Sequence, residues 1–314
     1  MLAVILCAIS CAIFICLLES IAPKFSLIDV PSGRKHHDGE IPVIGGMAIF
    51  ASIVFTLLVL NDASAPPALL AVSFVILLVG TVDDAWSISA RLKLLAQLLL
   101  SLVMVLWGDM RIETIGGILG SEPVDLQGMS SIVFSVICIV GVINAINMID
   151  GLDGLAGSLL FVSFVAIGFL SAETTDTRQT VFIMCIAGSL LAFLCYNSRL
   201  ARPTARVFLG DAGSMMLGLM LAWYLISLSQ NQGQSTVFSA VSMVWLFGLP
   251  LMETLVLVIN RILEKRSPFD AGRDHMHHKL INAGLSVNAT VFVMAFVHVC
   301  FVSIGVMFSD AKGA

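Results

Sequence analysis

Runs of apolar residues broken by short polar stretches recur along the whole chain. Ten such runs stand out, at 1–19, 43–60, 66–82, 94–107, 129–147, 155–172, 180–196, 213–229, 237–260 and 287–308. A helix of about 20 apolar residues crosses a bilayer. The pattern therefore predicts an all-α polytopic membrane protein of about ten transmembrane helices. Residues 1–314 form a single integral-membrane domain with no soluble domain attached. No internal repeat is evident, which weighs against transporters built from duplicated halves. Pro250 lies inside the ninth run, where a proline is expected to kink the helix, and Glu253 follows it at membrane depth.

Lysine and arginine orient the bundle. The loops 20–42, 83–93, 148–154, 197–212 and 261–286 hold 13 of the 16 basic residues, the others being Arg111, Arg178 and Lys312. Positive loops stay in the cytoplasm, so both termini are expected outside. Composition agrees, with 58% hydrophobic and 12% charged residues against roughly 25% charged in soluble domains. The seven cysteines lie in apolar runs and read as small hydrophobes, not as a disulfide framework. The N-terminus has no basic residue before Lys24, which fits a first membrane helix better than a cleaved signal peptide. The outer loop 108–128 alternates enough to predict a short hairpin.

The basic side also gathers the unusual polar residues. "VDDAWSISARLK" brings Asp83, Asp84, Arg91 and Lys93, and "NAINMIDGLDG" brings Asn144, Asn147, Asp150 and Asp153. "RVFLGDAGS" brings Asp211, and "SPFDAGRDHMHHKL" brings Arg273, Asp274, His275, His277 and His278. Adjacent carboxylates repel unless a cation sits nearby, and Mg²⁺ accepts one or two carboxylates beside substrate phosphates. For an isolated Asp pair a solvated helix cap is the better reading, and Asp211 reads equally as a helix N-cap or an anion-site neighbour. Asn144 and Asn147, three apart, share a helix face; they line a wet cleft or glue helices together. The histidine spacing is not that of a zinc site, and the basic neighbours suit phosphate. His298 reads as a polar helix-packing group. Polar groups from four loops on one face predict an active-site cleft at the cytoplasmic face.

Taken together these motifs resemble the polyprenyl-phosphate N-acetylhexosamine-1-phosphate transferases. The resemblance runs from "DVPSGRKHHDGEIPVIGG" to "SPFDAGRDHMHHKL" and covers most of the chain. "RDHMHHKL" is similar to the His-x-His-His form of the O-antigen and common-antigen branch. The resemblance implies transfer of an N-acetylhexosamine 1-phosphate, GlcNAc-1-phosphate first, from a UDP-sugar to undecaprenyl phosphate with release of UMP. It implies a bacterial inner-membrane enzyme that starts lipid-linked polysaccharide synthesis. Mg²⁺, with Mn²⁺ as the alternative, is then expected on Asn147 and Asp211. Asp83 and Asp84 become the catalytic carboxylates. Lys93, Asn144, Asp150, Asp153, Arg273, His275, His277 and His278 become substrate-binding residues. Partners are the two substrates and membrane lipids, with a homodimer as the alternative to a monomer and no nucleic acid. The rival readings are a muramyl-pentapeptide-1-phosphate transferase and, in a different class, a membrane transporter.

Overall fold

A computed structural model describes residues 1–30, 39–61, 65–116, 124–174, 177–200, 202–230, 238–266 and 274–309. The predicted all-α bundle is present. Its helices are α1 (Leu2–Ile21), α2 (Gly45–Leu60), α3 (Pro67–Trp86), α4 (Ala90–Trp107), α5 (Met129–Ile149) and α6 (Leu155–Thr174), followed by α7 (Thr177–Asn197), α8 (Gly210–Gln230), α9 (Ala240–Trp245), α10 (Gly248–Leu263), α11 (Met276–Asn282) and α12 (Val287–Met307). Eight are long and apolar enough to cross a membrane, and α2 is a shorter apolar helix. Every predicted run thus maps to a helix, the ninth to the broken pair α9 and α10.

Local chemistry sets the helix ends. Pro67 opens α3, where its missing N–H costs nothing. Ser89 and Ser286 cap α4 and α12, each accepting from the amide three residues on. The kink expected at Pro250 lies earlier: α9 stops at Trp245 and α10 starts at Gly248. Pro250 then sits in the first turn of α10, where proline is tolerated and does not bend the helix.

The core is built around α8. Its membrane window is 94% buried, and its side chains are apolar on all faces. A helix of that kind belongs at the centre of a bundle. Small residues let its neighbours close in: a side chain on Gly46 would run into Gly213, and one on Gly80 into the Ala212 backbone. Membrane helices pack closest where such residues face each other. His298 of α12, as expected, is a buried packing group, with its Nε2 3.0 Å from the Ser163 hydroxyl. No disulfide joins the cysteines, but only Cys7, Cys11 and Cys185 are buried, while Cys16, Cys195 and Cys300 face outward.

At one end the loops are stitched together. A two-residue ladder pairs β1 (Ile28–Asp29) with β2 (Ile41–Pro42). Val43 bridges to Phe208, and the Gly45 and Gly46 amides donate to the Phe208 and Leu209 carbonyls. Arg206 binds Glu19 of α1, its Nε 2.8 Å from Oε1. At the other end Thr114 and Asp125 form an antiparallel bridge, so the described part of loop 108–128 is hairpin-like. A cavity of about 380 Å³ opens there beside Arg111, Glu113 and Asp125, away from the polar cluster described next.

Candidate active site

Three helices meet to build the cluster. The last turn of α3 carries Asp83 and Asp84, the first turn of α4 carries Lys93, and the first turn of α8 carries Asp211. All lie on helices, whereas the sequence pattern put Asp83, Asp84, Lys93 and Asp211 in loops. Lys93 Nζ donates to Asp83 Oδ2 and to Asp211 Oδ2, each at 2.8 Å. Asn147, near the end of α5, donates from Nδ2 to Asp211 Oδ1 at 3.0 Å and to the Ser214 hydroxyl at 2.9 Å. Two carboxylates thus converge on one cationic position, which the lysine ammonium fills.

Asp84 does something different. Its Oδ1 accepts the Asp211 amide at 2.8 Å and its Oδ2 the Ala212 amide at 3.0 Å. Both oxygens therefore cap the N-terminus of α8 from another helix, a charge-assisted and dipole-favoured contact. Asp83 has one oxygen on Lys93 and the other on the Ile88 amide at 2.8 Å, inside the turn that ends α3 at left-handed Ser87.

The donor set suits a hard divalent ion. Asp211, Asp83 and the Asn147 amide offer oxygen, and no thiol or imidazole belongs to the described group. Asn147 presents its NH₂ to Asp211 in this arrangement, so ligation through its oxygen requires the amide to turn over. A second grouping of metal-capable side chains, Glu253, His275 and His277, lies apart from this one.

The α5–α6 loop sits beside the cluster. The Asp150 amide donates to the Asn147 carbonyl at 3.4 Å, but its carboxyl group makes no hydrogen bond or ion pair among the described residues. Burial pushes its carboxyl up to about 8, and the charges of Asp211, Asp84 and Asp153 add to the shift. In the unfolded chain Asp150 loses its proton near about 3.9. Between that value and about 8 the unfolded state binds fewer protons, so stability falls as pH rises. Asp150→Asn is expected to flatten this fall. Thermal melts of both proteins in chelator, across about pH 5 to 8, check it, and parallel curves would count against a buried acid. Asp153 instead pairs with Arg199 Nε at 2.6 Å and accepts the Ala205 amide at 3.2 Å, tying this loop to the one before α8.

Asn144 stays outside the cluster. Its Nδ2 donates to Gln97 Oε1 at 2.7 Å and to the Val140 carbonyl at 2.8 Å, so it glues α5 to α4. The histidine turn also departs from expectation. His277 is 1% exposed at its side chain, and neither ring nitrogen has a hydrogen-bond partner among the described residues. Burial holds its imidazole down to about 3, with His278 and His275 adding to the effect. It is neutral and packs under the α5–α6 loop, where a Cβ on Gly151 would sit 2.7 Å from Nε2. His275 and His278 are half-buried and stack around it, with ring centroids 5.2 and 4.3 Å from that of His277. Arg273 lies outside the described residues.

Four supporting residues were not singled out from sequence: Asn197, Arg199, Ser214 and Gln97. Asn197 accepts the Gly154 amide at 2.8 Å and donates to the Val207 carbonyl at 2.9 Å, holding two loops together. An amide at the end of an apolar run, in "CYNSRL", was the available signal.

This chain matches the family model described as glycosyl transferase family 4 over residues 66–229, a region that includes the whole carboxylate cluster. Three relatives bear the name undecaprenyl-phosphate alpha-N-acetylglucosaminyl 1-phosphate transferase. The protein from Escherichia coli K12 is 31% identical over 296 residues, 94% of this chain and 80% of its own. That from Haemophilus influenzae is 33% identical over 292 residues, 92% and 81% of the two chains. That from Pasteurella multocida is 34% identical over 294 residues, again 92% and 81%. With that coverage and the membrane bundle described above, the chain belongs to glycosyl transferase family 4.

Proposed function

We propose that this protein transfers GlcNAc-1-phosphate from UDP-GlcNAc to undecaprenyl phosphate and releases UMP, the first step of lipid-linked polysaccharide synthesis in the bacterial inner membrane. The names of the relatives support the substrates. The observation that carries the reading is the convergence of Asp83, Lys93, Asn147 and Asp211 at one end of the central helix. The polar end faces the cytoplasm in this reading, because the basic loops lie there.

One oxygen of the lipid phosphate attacks the phosphorus bearing the sugar. The bond from that phosphorus to the bridging oxygen breaks, and UMP leaves with the oxygen. A phosphate monoester has its second pKa at about 6, so the acceptor arrives largely ionised and no strong base is required. Asp83, already bound to Lys93 and a backbone amide, orients the acceptor side of the cleft. Lys93 neutralises charge between the two phosphates' sites. Asp84 acts at one remove, fixing the turn that carries Asp211. Mg²⁺, held by Asp211, Asn147 and Asp83, would neutralise the donor diphosphate as it is cleaved. Asp150 and Asp153 line the nucleoside side, and His275 and His278 lie over the diphosphate.

Purified protein given both substrates should release UMP only with a divalent ion present, and omitting the lipid should stop it. UMP release without lipid, or none with it, would reject the reading. Asp153→Ala is expected to weaken donor use, because it frees Arg199 and the loop it anchors, with the lipid KM unchanged. A large rise in lipid KM with donor kinetics intact would mean this loop faces the acceptor. Asp83→Asn should lower the rate by a similar factor at every pH. Recovery at high pH would instead assign Asp83 as a general base.

A further inference from the structure

Glu253 is an acid inside the membrane region with no place in the chemistry above. It lies on α10, 5% exposed, and points at the N-terminal turn of α11. Its Oε1 is 3.1 Å from His275 Nδ1 and accepts the Met276 amide at 3.2 Å. His277 Nδ1 is 3.8 Å from the same oxygen. Lower on α10, buried Arg261 reaches Asp274 at 3.8 Å. The helix therefore grips the residues before and at the start of α11 at two points, one acidic and one basic. A buried acid is expensive unless its charge is answered. Here the Met276 N–H, and His275 Nδ1 in the tautomer that carries its proton, answer Oε1, while Oε2 has no hydrogen-bond partner among the described residues.

We propose that Glu253 is a positioning residue for the transfer reaction: it anchors the histidine turn to α10 and fixes the His275 tautomer. A carboxylate on Nδ1 makes that nitrogen the donor and leaves Nε2 as the nitrogen for substrate. His275 then meets the donor diphosphate in a set orientation. This rests on the transferase reading, in which His275 contacts the diphosphate. It explains why the acid follows the break between α9 and α10. The break lets α10 take its own direction, which brings Glu253 under the turn.

The test is a double-mutant cycle on kcat for UMP release, with affinity for UDP-GlcNAc measured separately by calorimetry without lipid. Glu253→Ala and His275→Ala should each lower kcat by about tenfold or more, and the double variant should be no worse than the poorer single one. Glu253→Gln, whose amide oxygen still accepts both N–H groups, should recover much of the loss. The lipid KM should not move in any of them. Losses that multiply in the double variant would make Glu253 a packing residue and overturn the proposal, as would full activity in Glu253→Ala. Glu253, His275 and His277 also hold ligand atoms within 4.8 Å of one another. Activity lost on chelation and restored by Zn²⁺ but not by Mg²⁺ would replace the proposal with a metal clasp. If the unaltered protein neither binds UDP-GlcNAc nor releases UMP, the transferase reading fails and takes the proposal with it. If it does both while the cycle is additive, only the proposal fails.

Discussion

Asp211→Asn is expected to abolish transfer, with a loss of about 100- to 1,000-fold or more in kcat. The carboxylate is the shared partner of Lys93 and Asn147, and in the proposed reading it is a charged ligand of the metal. Asparagine keeps its shape and removes its charge. The lysine would then keep Asp83 as its one carboxylate partner among the described residues, and a divalent ion held here would lose a charged donor. The protein should still fold and insert, because the contact that shapes this turn uses the backbone amide of residue 211, not its side chain. Activity at limiting Mg²⁺, beside a thermal melt, separates the two effects. Near-normal turnover would remove Asp211 from the metal site.

The second large effect is on packing. Gly80→Ala should destabilise the protein and cost activity together. A Cβ at position 80 runs into the backbone of Ala212 and of Asp211, so no rotamer change can relieve it. Overpacking of this kind costs about 1–3 kcal/mol, occasionally more. The relief is to part α3 from α8, which draws Asp84 off the Asp211 and Ala212 amides and widens the cation position. Gly141→Ala is the control: nothing lies within 4 Å of a Cβ there, and alanine in mid-helix gains up to about 1 kcal/mol over glycine. Melting temperature and kcat measured on both variants decide the matter. A Gly80→Ala protein as stable and active as Gly141→Ala would contradict the close approach of α3 and α8.

Much of this molecule was readable before any coordinates. Apolar runs of helix length have few other uses, so the bundle followed from them, and Asp211 stood out as a carboxylate at the edge of such a run. What escaped were facts set by tertiary contact. Asp83 and Asp84 are neighbours with the same chemistry, yet one meets the lysine and the other caps a helix 127 residues away. Nothing local distinguishes them. Asn144 and Asn147 share a face, but their three-residue spacing, about 4.5 Å of helix rise, puts them at different depths. At the deeper level the neighbour is Gln97; at the shallower level it is Asp211. His277 was read as a phosphate contact because of its basic neighbours in sequence, but the turn directs it inward beneath Gly151. Pro250 misled for a simpler reason. A proline bends a helix only with a turn of helix before it, and here Gly248 opens the helix instead.

In the proposed reaction a GlcNAc-1-phosphate moves onto a lipid phosphate at this cluster. Its most direct test gives the purified protein undecaprenyl phosphate, Mg²⁺ and a panel of UDP-sugars (GlcNAc, GalNAc, a 6-deoxy relative and MurNAc-pentapeptide), and weighs the lipid product by mass spectrometry. The expected product is an undecaprenyl diphosphate carrying one N-acetylhexosamine from UDP-GlcNAc, formed with equimolar UMP and absent from the Asp211→Asn protein. A product from UDP-MurNAc-pentapeptide alone, or no lipid product from any donor, would contradict it.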